Sequence, residues 1–389
     1  MKYPLASISW NAKEYQAALE VLSGDMYSMG KYTEEFEKNY AEWAGSKYAI
    51  FCNSGSSANL LALAACLYDP RQDLSVGDEV LVPSVSWSTT YAPIQQMGLI
   101  PKLVDVSIET YNICPELLEQ NITKKSKAIF AVNLLGASCD YNKIVSLCDK
   151  HNLILLEDNC ESMGASYENK KTGCFGLIST HSTFFSHHMA TMEGGICCTN
   201  DELLSEILRS LRAHGWVRNV KNNDLFYKYF PKPSNQLEEK FHFVLPGFNF
   251  RPTEISAAIG IEQILKLDNF ISNRRENAEY FIKKLKAVTN ISLSLQTDYG
   301  KSSWFGFGLI AESSEKRDII LDSLTNAGIE VRPIVSGNMA RQPMFSSLNL
   351  DPKSYVNAEI IHSRGFMIGN HQFDIKHMID LFFSTIESI

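Results

Sequence analysis

Apolar runs that end in turn-forming residues alternate with helix-like stretches through the first half of the chain. The runs read KYAIFCNS, DEVLVPS, IPKLVDV, KAIFAVNLLG, LILLEDN and STFFS, and helix-like segments such as SANLLALAACLYD and NKIVSLCDKHN lie between them. Strands buried on both faces of a sheet show continuous apolar runs, and helices supply the crossovers between parallel strands. The pattern therefore predicts an α/β fold with a mostly parallel central sheet.

The length of the chain, 389 residues, predicts two structural domains, or one large domain with a smaller lobe. The polar stretch 219–239 interrupts the alternation and is typical of a long connection. After it comes long helical structure, interrupted near Asp268, and the remainder mixes short strands with helices. We therefore predict a large α/β domain over residues 1–245 and a smaller α+β domain over residues 246–389.

Charge and composition argue against several classes of protein. A net charge of −8, without a Lys/Arg-rich run, argues against a nucleic-acid partner. The N-terminal sequence lacks the apolar core of a signal peptide, and no uncharged stretch is long enough to cross a bilayer. We therefore expect a cytoplasmic protein without a membrane partner. The nine cysteines are scattered without CxxC spacing, which argues against a disulfide framework or a metal site.

The segment NSGSSANLLAL places a Gly/Ser turn between a predicted strand and a predicted helix. At such a junction, free backbone N–H groups and the positive end of the helix dipole point at an anion. Gly55, Ser56 and Ser57 therefore form a candidate phosphate-binding turn. An ordinary N-cap followed by a helix is the alternative interpretation of the same residues.

Three further residues end or follow predicted strands. Asp158 ends the apolar run LILLED, at the carboxyl edge where open α/β sheets bind ligands, and a carboxylate there can keep a pyridine nitrogen protonated. Trp87 follows another apolar run, and its indole can stack on a flat ring. Ser182 lies on the strand before the turn 193–195. Singly, Asp158 can equally be a turn cap and Trp87 a packed residue; together with the phosphate-binding turn they indicate a phosphorylated pyridine ring.

The order and spacing of these segments resemble the DegT/DnrJ/EryC1/StrS group of sugar aminotransferases, which are fold-type I pyridoxal-phosphate (PLP) enzymes. The resemblance extends from SMGKYTEEFEKNYAEWAGSKYAIFCNSGSSAN through LEDNCESMGA and STFFSHHMATMEGG to GFNFRPTEISAAIG. It implies the aspartate aminotransferase fold, PLP or its amine form pyridoxamine phosphate (PMP) as cofactor, and a homodimer with shared active sites. It also implies residue roles: Asp158 at the pyridine nitrogen, Trp87 on the ring face, Ser57 and Ser182 at the phosphate, and Asn249 at the phosphate across the dimer interface. Near the ring hydroxyl the family often has Gln or His, and this chain has Glu161 there.

One position departs from the family pattern and decides which chemistry is possible. The family carries its Schiff-base lysine six residues before the Glu of a GEGG-like turn, and this chain has His187 there. No lysine occurs between Lys171 and Lys221, so a small misalignment does not restore it. An imidazole forms no stable link to the aldehyde, but its ordinary pKa of about 6.5 suits it to exchange protons near neutral pH. We therefore predict that His187 is a catalytic base; the alternatives are His188 in its place, or an inactive relative.

Within the family, a histidine at this position is similar to the 3-dehydratases of nucleotide-linked 4-keto-6-deoxyhexoses. One branch needs an iron–sulfur cluster, but only Cys197 and Cys198 follow His187, too few for its ligands. The other branch uses PLP and L-glutamate without iron, and the segment 330–345 is similar to it. Arginines there can bind a substrate or simply face solvent. Candidates for the sugar or glutamate pocket are Arg332, Asn338 and Arg341.

The resemblance therefore implies PLP- and glutamate-dependent removal of the C3 hydroxyl from GDP-4-keto-6-deoxy-D-mannose, a step toward the lipopolysaccharide sugar colitose. Two alternatives are a nucleotide-sugar aminotransferase and a non-catalytic relative that only binds PLP. No motif physically distinguishes GDP from CDP or dTDP, so the choice of nucleotide rests on resemblance alone.

Overall fold

The predicted apolar strands form a central sheet in the computed structural model, which describes residues 2–288 and 292–389. Seven strands belong to this sheet, three form a smaller sheet, and two form a short hairpin. In chain order, the strands are β1 (Tyr48–Cys52), β2 (Glu79–Pro83), β3 (Ile100–Val104), β4 (Ser126–Val132), β5 (Ile154–Asp158), β6 (Ser166–Tyr167), β7 (Lys170–Lys171), β8 (Ile178–Ser182), β9 (Gly195–Thr199), β10 (Leu293–Leu295), β11 (Gly306–Ala311) and β12 (Gly365–Gly369).

The central sheet is mostly parallel, which confirms the prediction. Its order is β1-β9-β8-β5-β4-β2-β3, and only β9 runs antiparallel to its two neighbours. The carboxyl ends of the parallel strands therefore lie at one edge. The prediction of a strand over STFFS is wrong for all but its first residue, Ser182, because β8 ends there. The chain then leaves the sheet in a loop that is closed by the Thr183 amide and the Gly194 carbonyl oxygen, 2.9 Å apart.

Helices cover both faces of this sheet, because alternate side chains of a strand point to opposite sides. On β1, Ile50 and Cys52 belong to one buried cluster, and Ala49 and Phe51 belong to another. The helices are, in chain order, α1 (Ala12–Leu22), α2 (Lys31–Ala44), α3 (Gly55–Tyr68), α4 (Ser88–Gln96), α5 (Pro115–Asn121), α6 (Tyr141–His151), α7 (Glu202–Arg212), α8 (Asn223–Phe226), α9 (Gln236–Glu239), α10 (Glu254–Leu285), α11 (Ser314–Ala327), α12 (Val356–Arg364) and α13 (Lys376–Glu387).

The long helix α10 is continuous, so the predicted interruption near Asp268 is wrong. The Asp268 carboxylate accepts a hydrogen bond from Trp43 Nε1 of α2, at 2.9 Å. The side chain is therefore engaged between helices and does not cap a new one. The predicted connection 219–239 contains only the four-residue helices α8 and α9 and a short 3₁₀ turn at its start.

A second core surrounds the small sheet of β10, β11 and β12, with α11 and α13 packed against it. Tyr3 belongs to this core, and its hydroxyl donates to the Gly369 carbonyl oxygen at 2.7 Å. The N-terminal segment thus packs on the C-terminal unit, while the boundary between residues 245 and 246 stays a prediction. Among the helices of residues 2–288 and 292–389, none combines the length and apolar character that a membrane span requires.

Candidate active site

Three neighbouring parts of the central sheet bring polar residues to its carboxyl edge. The turn after β1 contains Ser54, Asp158 ends β5, and Ser182 ends β8. Strands β5 and β8 are paired, and only β9 lies between β8 and β1. This edge is where open α/β sheets bind their ligands.

The N-terminus of α3 forms the turn that the sequence predicts to bind phosphate. Ser54 is the N-cap, and its Oγ accepts a hydrogen bond from the Ser57 amide at 3.1 Å. The amides of Gly55 and Ser56 lie in the first turn, so they have no acceptor within the helix. The helix dipole adds partial positive charge at the same point. An anion can therefore bind at this end of α3.

Gly55 permits a close approach between α3 and the end of β8. A Cβ atom on Gly55 would lie 2.6 Å from the Ser182 Cβ and 2.9 Å from its Oγ. Real side chains do not approach so closely, so only glycine fits between the helix and the strand. The Ser182 hydroxyl is thereby held beside the first turn of α3, where both can face one anion.

We expect Gly55→Ala to lower the free energy of unfolding by about 1–3 kcal/mol, because the added methyl group must displace Ser182. Urea unfolding followed by circular dichroism measures this change. Gly24→Ala is the matched control, since a Cβ on Gly24 would only reach ordinary contact, 3.4 Å from the Val21 carbonyl oxygen. Equal stability of the two variants would contradict the close approach.

Asp158 is buried and held by hydrogen bonds from three directions. Its Oδ2 accepts from Asn59 Nδ2 at 2.9 Å and from the Thr90 hydroxyl at 2.8 Å. Its Oδ1 accepts from the Cys160 amide at 3.2 Å. Asn59 lies one turn along α3 from Gly55, so the carboxylate and the anion-binding turn are joined through one helix. A ligand with a phosphate and a cationic ring nitrogen would meet both groups.

Asn59 and Thr90 are functional-site residues that the sequence reasoning missed. The side-chain oxygen of Asn59, Oδ1, accepts a hydrogen bond from the Thr180 hydroxyl, so the side-chain NH₂ group of Asn59 faces Asp158. The available signal was an asparagine within the otherwise apolar stretch ANLLALAAC. A polar residue in such a helix requires a hydrogen-bonding partner.

Glu161 lies close to Asp158 on the chain after β5. Its Oε2 accepts a hydrogen bond from the Leu135 amide at 3.0 Å, and Leu135 has a left-handed φ of 53°. Burial raises the pKa of Glu161 to about 7, the nearby charge of Asp158 adds to this, and the Leu135 amide opposes it. Near neutral pH this carboxyl group can therefore either donate or accept a proton.

His187 lies in the loop 183–194, whose neck is closed by the Thr191 amide and the Thr183 carbonyl oxygen, 2.8 Å apart. Its ring packs against Phe305, with centroids 5.3 Å apart. Within the described residues, the buried Nδ1 atom has no hydrogen-bond partner. Burial, and then the charge of Arg274, lower the pKa of His187 to about 4. The imidazole is therefore an uncharged base at neutral pH.

His188 packs against the same residue, Phe305, as His187 does. It is fully buried, its Nε2 lies 3.3 Å from the Ser303 carbonyl oxygen, and its ring is 5.7 Å from that of Phe305. Burial lowers the pKa of His188 well below its ordinary value. His188 thus packs against the segment before β11, whereas the His187 side chain is only partly buried.

Trp87 and Asn249 both present exposed side chains. Trp87 precedes α4 and is 58% exposed. Asn249 accepts a hydrogen bond from Arg251 Nε at 3.0 Å, and its backbone pairs with Ala213. The next residue, Phe250, accepts a backbone hydrogen bond from Asn53 at 3.1 Å, which places this segment beside the turn that leads into α3. The roles of Trp87 and Asn249 stay predictions.

The three candidate substrate residues are not brought together as one group. Asn338 is buried, and its amide donates to the Pro352 carbonyl oxygen and to Glu359, each at 3.0 Å. Arg341 is paired with the same Glu359 carboxylate. Arg332 is exposed, and its backbone pairs with Met367 of β12. Their role in binding a substrate stays a prediction.

The site can bind an anion, a cationic ring nitrogen and a proton. The anion would meet the α3 amides and Ser182, the ring nitrogen would meet Asp158, and His187 would take the proton. Within residues 2–288 and 292–389, no group of three or more His, Cys, Asp or Glu side chains is arranged to hold a metal ion.

Comparisons with known proteins point to one family. The model of the DegT/DnrJ/EryC1/StrS aminotransferase family matches residues 9–373. The chain is 46% identical to GDP-4-keto-6-deoxy-D-mannose 3-dehydratase of Escherichia coli O55:H7, over 98% of this chain and 98% of that protein.

Solved structures are similar over the same length. A GDP-4-keto-6-deoxymannose-3-dehydratase with a trapped PLP-glutamate geminal diamine has a TM-score of 0.90 and 45% identity, covering 98% of this chain and 99% of that one. A variant of this dehydratase, with asparagine in place of a histidine and with bound GDP-perosamine, also has a TM-score of 0.90 and 45% identity. It covers 99% of this chain and 100% of that one.

Proposed function

The chain belongs to the DegT/DnrJ/EryC1/StrS aminotransferase family, and from this membership we propose that it is a PLP-dependent 3-dehydratase of GDP-4-keto-6-deoxy-D-mannose. The feature that carries the proposal is His187, an uncharged base whose buried Nδ1 has no hydrogen-bond partner among the described residues, at the position where the family resemblance places the lysine. The fold and the family predicted from the sequence are confirmed. The substrate comes from the 46% identical relative.

The residues present fit PLP. The first turn of α3, with Ser57 and Ser182, would hold the phosphate, because Gly55 lets the Ser182 hydroxyl lie beside that turn. Asp158 would hold the ring nitrogen, and Glu161 would share a proton with the ring hydroxyl. When bound, PLP supplies an electron sink and, once aminated by L-glutamate, an amine that can join the C4 ketone of the sugar.

His187 supplies the proton transfers of the proposed reaction. Because its pKa is about 4, the imidazole is unprotonated at neutral pH. A ring nitrogen can therefore take up the proton that the C4′ carbon of the amine form of the cofactor would lose. The resulting imidazolium can return that proton to the departing C3 hydroxyl. An aminotransferase uses a lysine for this exchange, and the loop 183–194 contains none. The chain therefore has the means to move a proton without a covalent anchor for the cofactor.

The test is incubation of the protein with PLP, L-glutamate and GDP-4-keto-6-deoxy-D-mannose, with ammonia, 2-oxoglutarate and the sugar followed by mass spectrometry. We expect loss of the C3 oxygen together with release of ammonia. An amino sugar would identify an aminotransferase instead. Absence of turnover with this substrate and with its CDP and dTDP counterparts would favour a relative that only binds PLP.

The proposal includes a homodimer in which Asn249 reaches the phosphate across the interface. The exposure of Asn249 and Trp87 supports this arrangement, since neither side chain is buried within its own subunit. A nucleotide-sugar substrate and a cytoplasmic location complete the proposal.

A further inference from the structure

A buried arginine that has no carboxylate partner in the described part of the chain lies near His187. Arg274 of α10 is 3% exposed, and its Nη1 donates to the carbonyl oxygens of Phe305 at 3.0 Å and Asn370 at 2.7 Å. Among the described residues, its Nε has no hydrogen-bond partner. Burial lowers the pKa of Arg274 to about 10, and within residues 2–288 and 292–389 no carboxylate offsets this effect. A buried cation without a counter-charge is costly, so its presence calls for a compensating role.

Phe305 connects this guanidinium to the candidate base. Its carbonyl oxygen accepts from Arg274, and its ring packs against His187 with centroids 5.3 Å apart. The Asn370 side chain donates back to the Arg274 carbonyl oxygen at 2.9 Å, which fixes the arginine from a second side. Arg274 therefore anchors the backbone at Phe305, the residue whose ring packs against the imidazole.

We propose that Arg274 is a positioning residue for His187: through its hydrogen bond to the Phe305 carbonyl oxygen, it holds Phe305 against the imidazole. The inference rests on the proposed function, since it concerns His187 as a base. A second positive charge close to a cation is unfavourable, so the guanidinium acts against protonation of its neighbours.

Several charged or titratable groups lie in the region of Arg274 and His187. Arg274 and Arg275 come from α10, His188 from the same loop as His187, and His371 from the segment after β12. After burial itself, the charge of Arg274 is the next cause that lowers the pKa of His187, His188 and His371, and for His188 the charges of His187 and Arg275 add to it. Arg275 instead binds the carbonyl oxygens of Ser302 and Gly164, each with a hydrogen bond of 2.8–2.9 Å.

The test compares Arg274→Met, Arg274→Lys and the control Arg275→Met in the PLP-loaded enzyme. Two readouts are used: the pH profile of kcat/KM, and NMR titration of the His187 imidazole, which needs no turnover. For Arg274→Met we expect the His187 titration and the acid limb to move upward by roughly one pH unit. We also expect kcat to fall about 100-fold, because the base is displaced. Arg274→Lys should largely restore the titration, and Arg275→Met should leave it in place.

An unchanged titration of His187 in a folded Arg274→Met variant would overturn the inference, whereas absent turnover in the unmodified enzyme would overturn the proposed function. If Arg274→Met does not fold, Phe305→Leu tests the same contact, since it keeps the cation and removes the ring. We expect that variant to lose kcat with little change in KM. Unchanged kcat in Phe305→Leu would overturn the positioning role.

Discussion

Replacing His187 with asparagine is expected to lower dehydratase turnover by roughly 10²–10⁴-fold, the contribution typical of a general base. Asparagine fills similar space but cannot take up a proton near neutral pH. Binding of PLP should persist, because the α3 turn, Asp158 and Ser182 are unaltered. Turnover is measured as ammonia release from the nucleotide sugar, and cofactor binding by absorbance titration.

The control for this prediction is His151→Asn. His151 lies in the last turn of α6 and is exposed to solvent. It should leave both turnover and PLP binding unchanged. Full activity of His187→Asn, or equal losses in the two variants, would contradict the assignment of the base.

His187→Lys tests whether the side chain at position 187 faces the PLP aldehyde. A lysine amine there can form a covalent link to the PLP aldehyde, which borohydride makes permanent and mass spectrometry detects. We expect this link in the variant and not in the unmodified protein. A variant that holds PLP without any trapped link would show that position 187 does not face the aldehyde.

The second large effect is expected for Asp158→Asn, which should weaken PLP binding by about 2–5 kcal/mol, because a buried charged partner of the ring nitrogen is removed. Turnover should also fall, since an unprotonated ring is a weaker electron sink. The substitution keeps the size of the side chain, so Asn59 and Thr90 can stay close to it. Equilibrium dialysis of PLP and steady-state turnover measure the two effects.

Asp149→Asn is the matched control, because Asp149 is an exposed carboxylate on α6. It should bind PLP as the unmodified protein does. If Asp158→Asn also kept its affinity, the carboxylate would serve only to position Asn59 and Thr90. The site would then need another partner for the ring nitrogen.

The sequence was most informative where the signal is local. The apolar runs predicted the parallel strands, and Asp158 ends β5 as expected. A strand buried on both faces needs a continuous apolar run, so a few consecutive residues are enough to predict such a strand. The six-residue spacing between His187 and Glu193 is local as well, and it singled out the departure from the family pattern.

The sequence was less informative where a local pattern has more than one outcome. STFFS is as apolar as a strand, but β8 ends at Ser182 because the chain turns away to form the loop that carries His187. Asp268 was expected to interrupt a helix, yet Trp43 of α2 engages its carboxylate and α10 continues. For Asp268, a partner distant in sequence decided the result.

By itself, the sequence determined the strand pattern, the family and the presence of a histidine where a Schiff-base lysine is expected. Only the tertiary structure decided what surrounds those residues. Asn59 and Thr90 reach Asp158 from 99 and 68 residues away, and the Phe305 carbonyl oxygen reaches Arg274 across 31 residues. Periodicity reports which face of an element is buried, but hydrogen bonds and charge effects between such residues depend on the folded path of the chain. The protonation state of His187 belongs to this second group, because burial and a cation on another element set it.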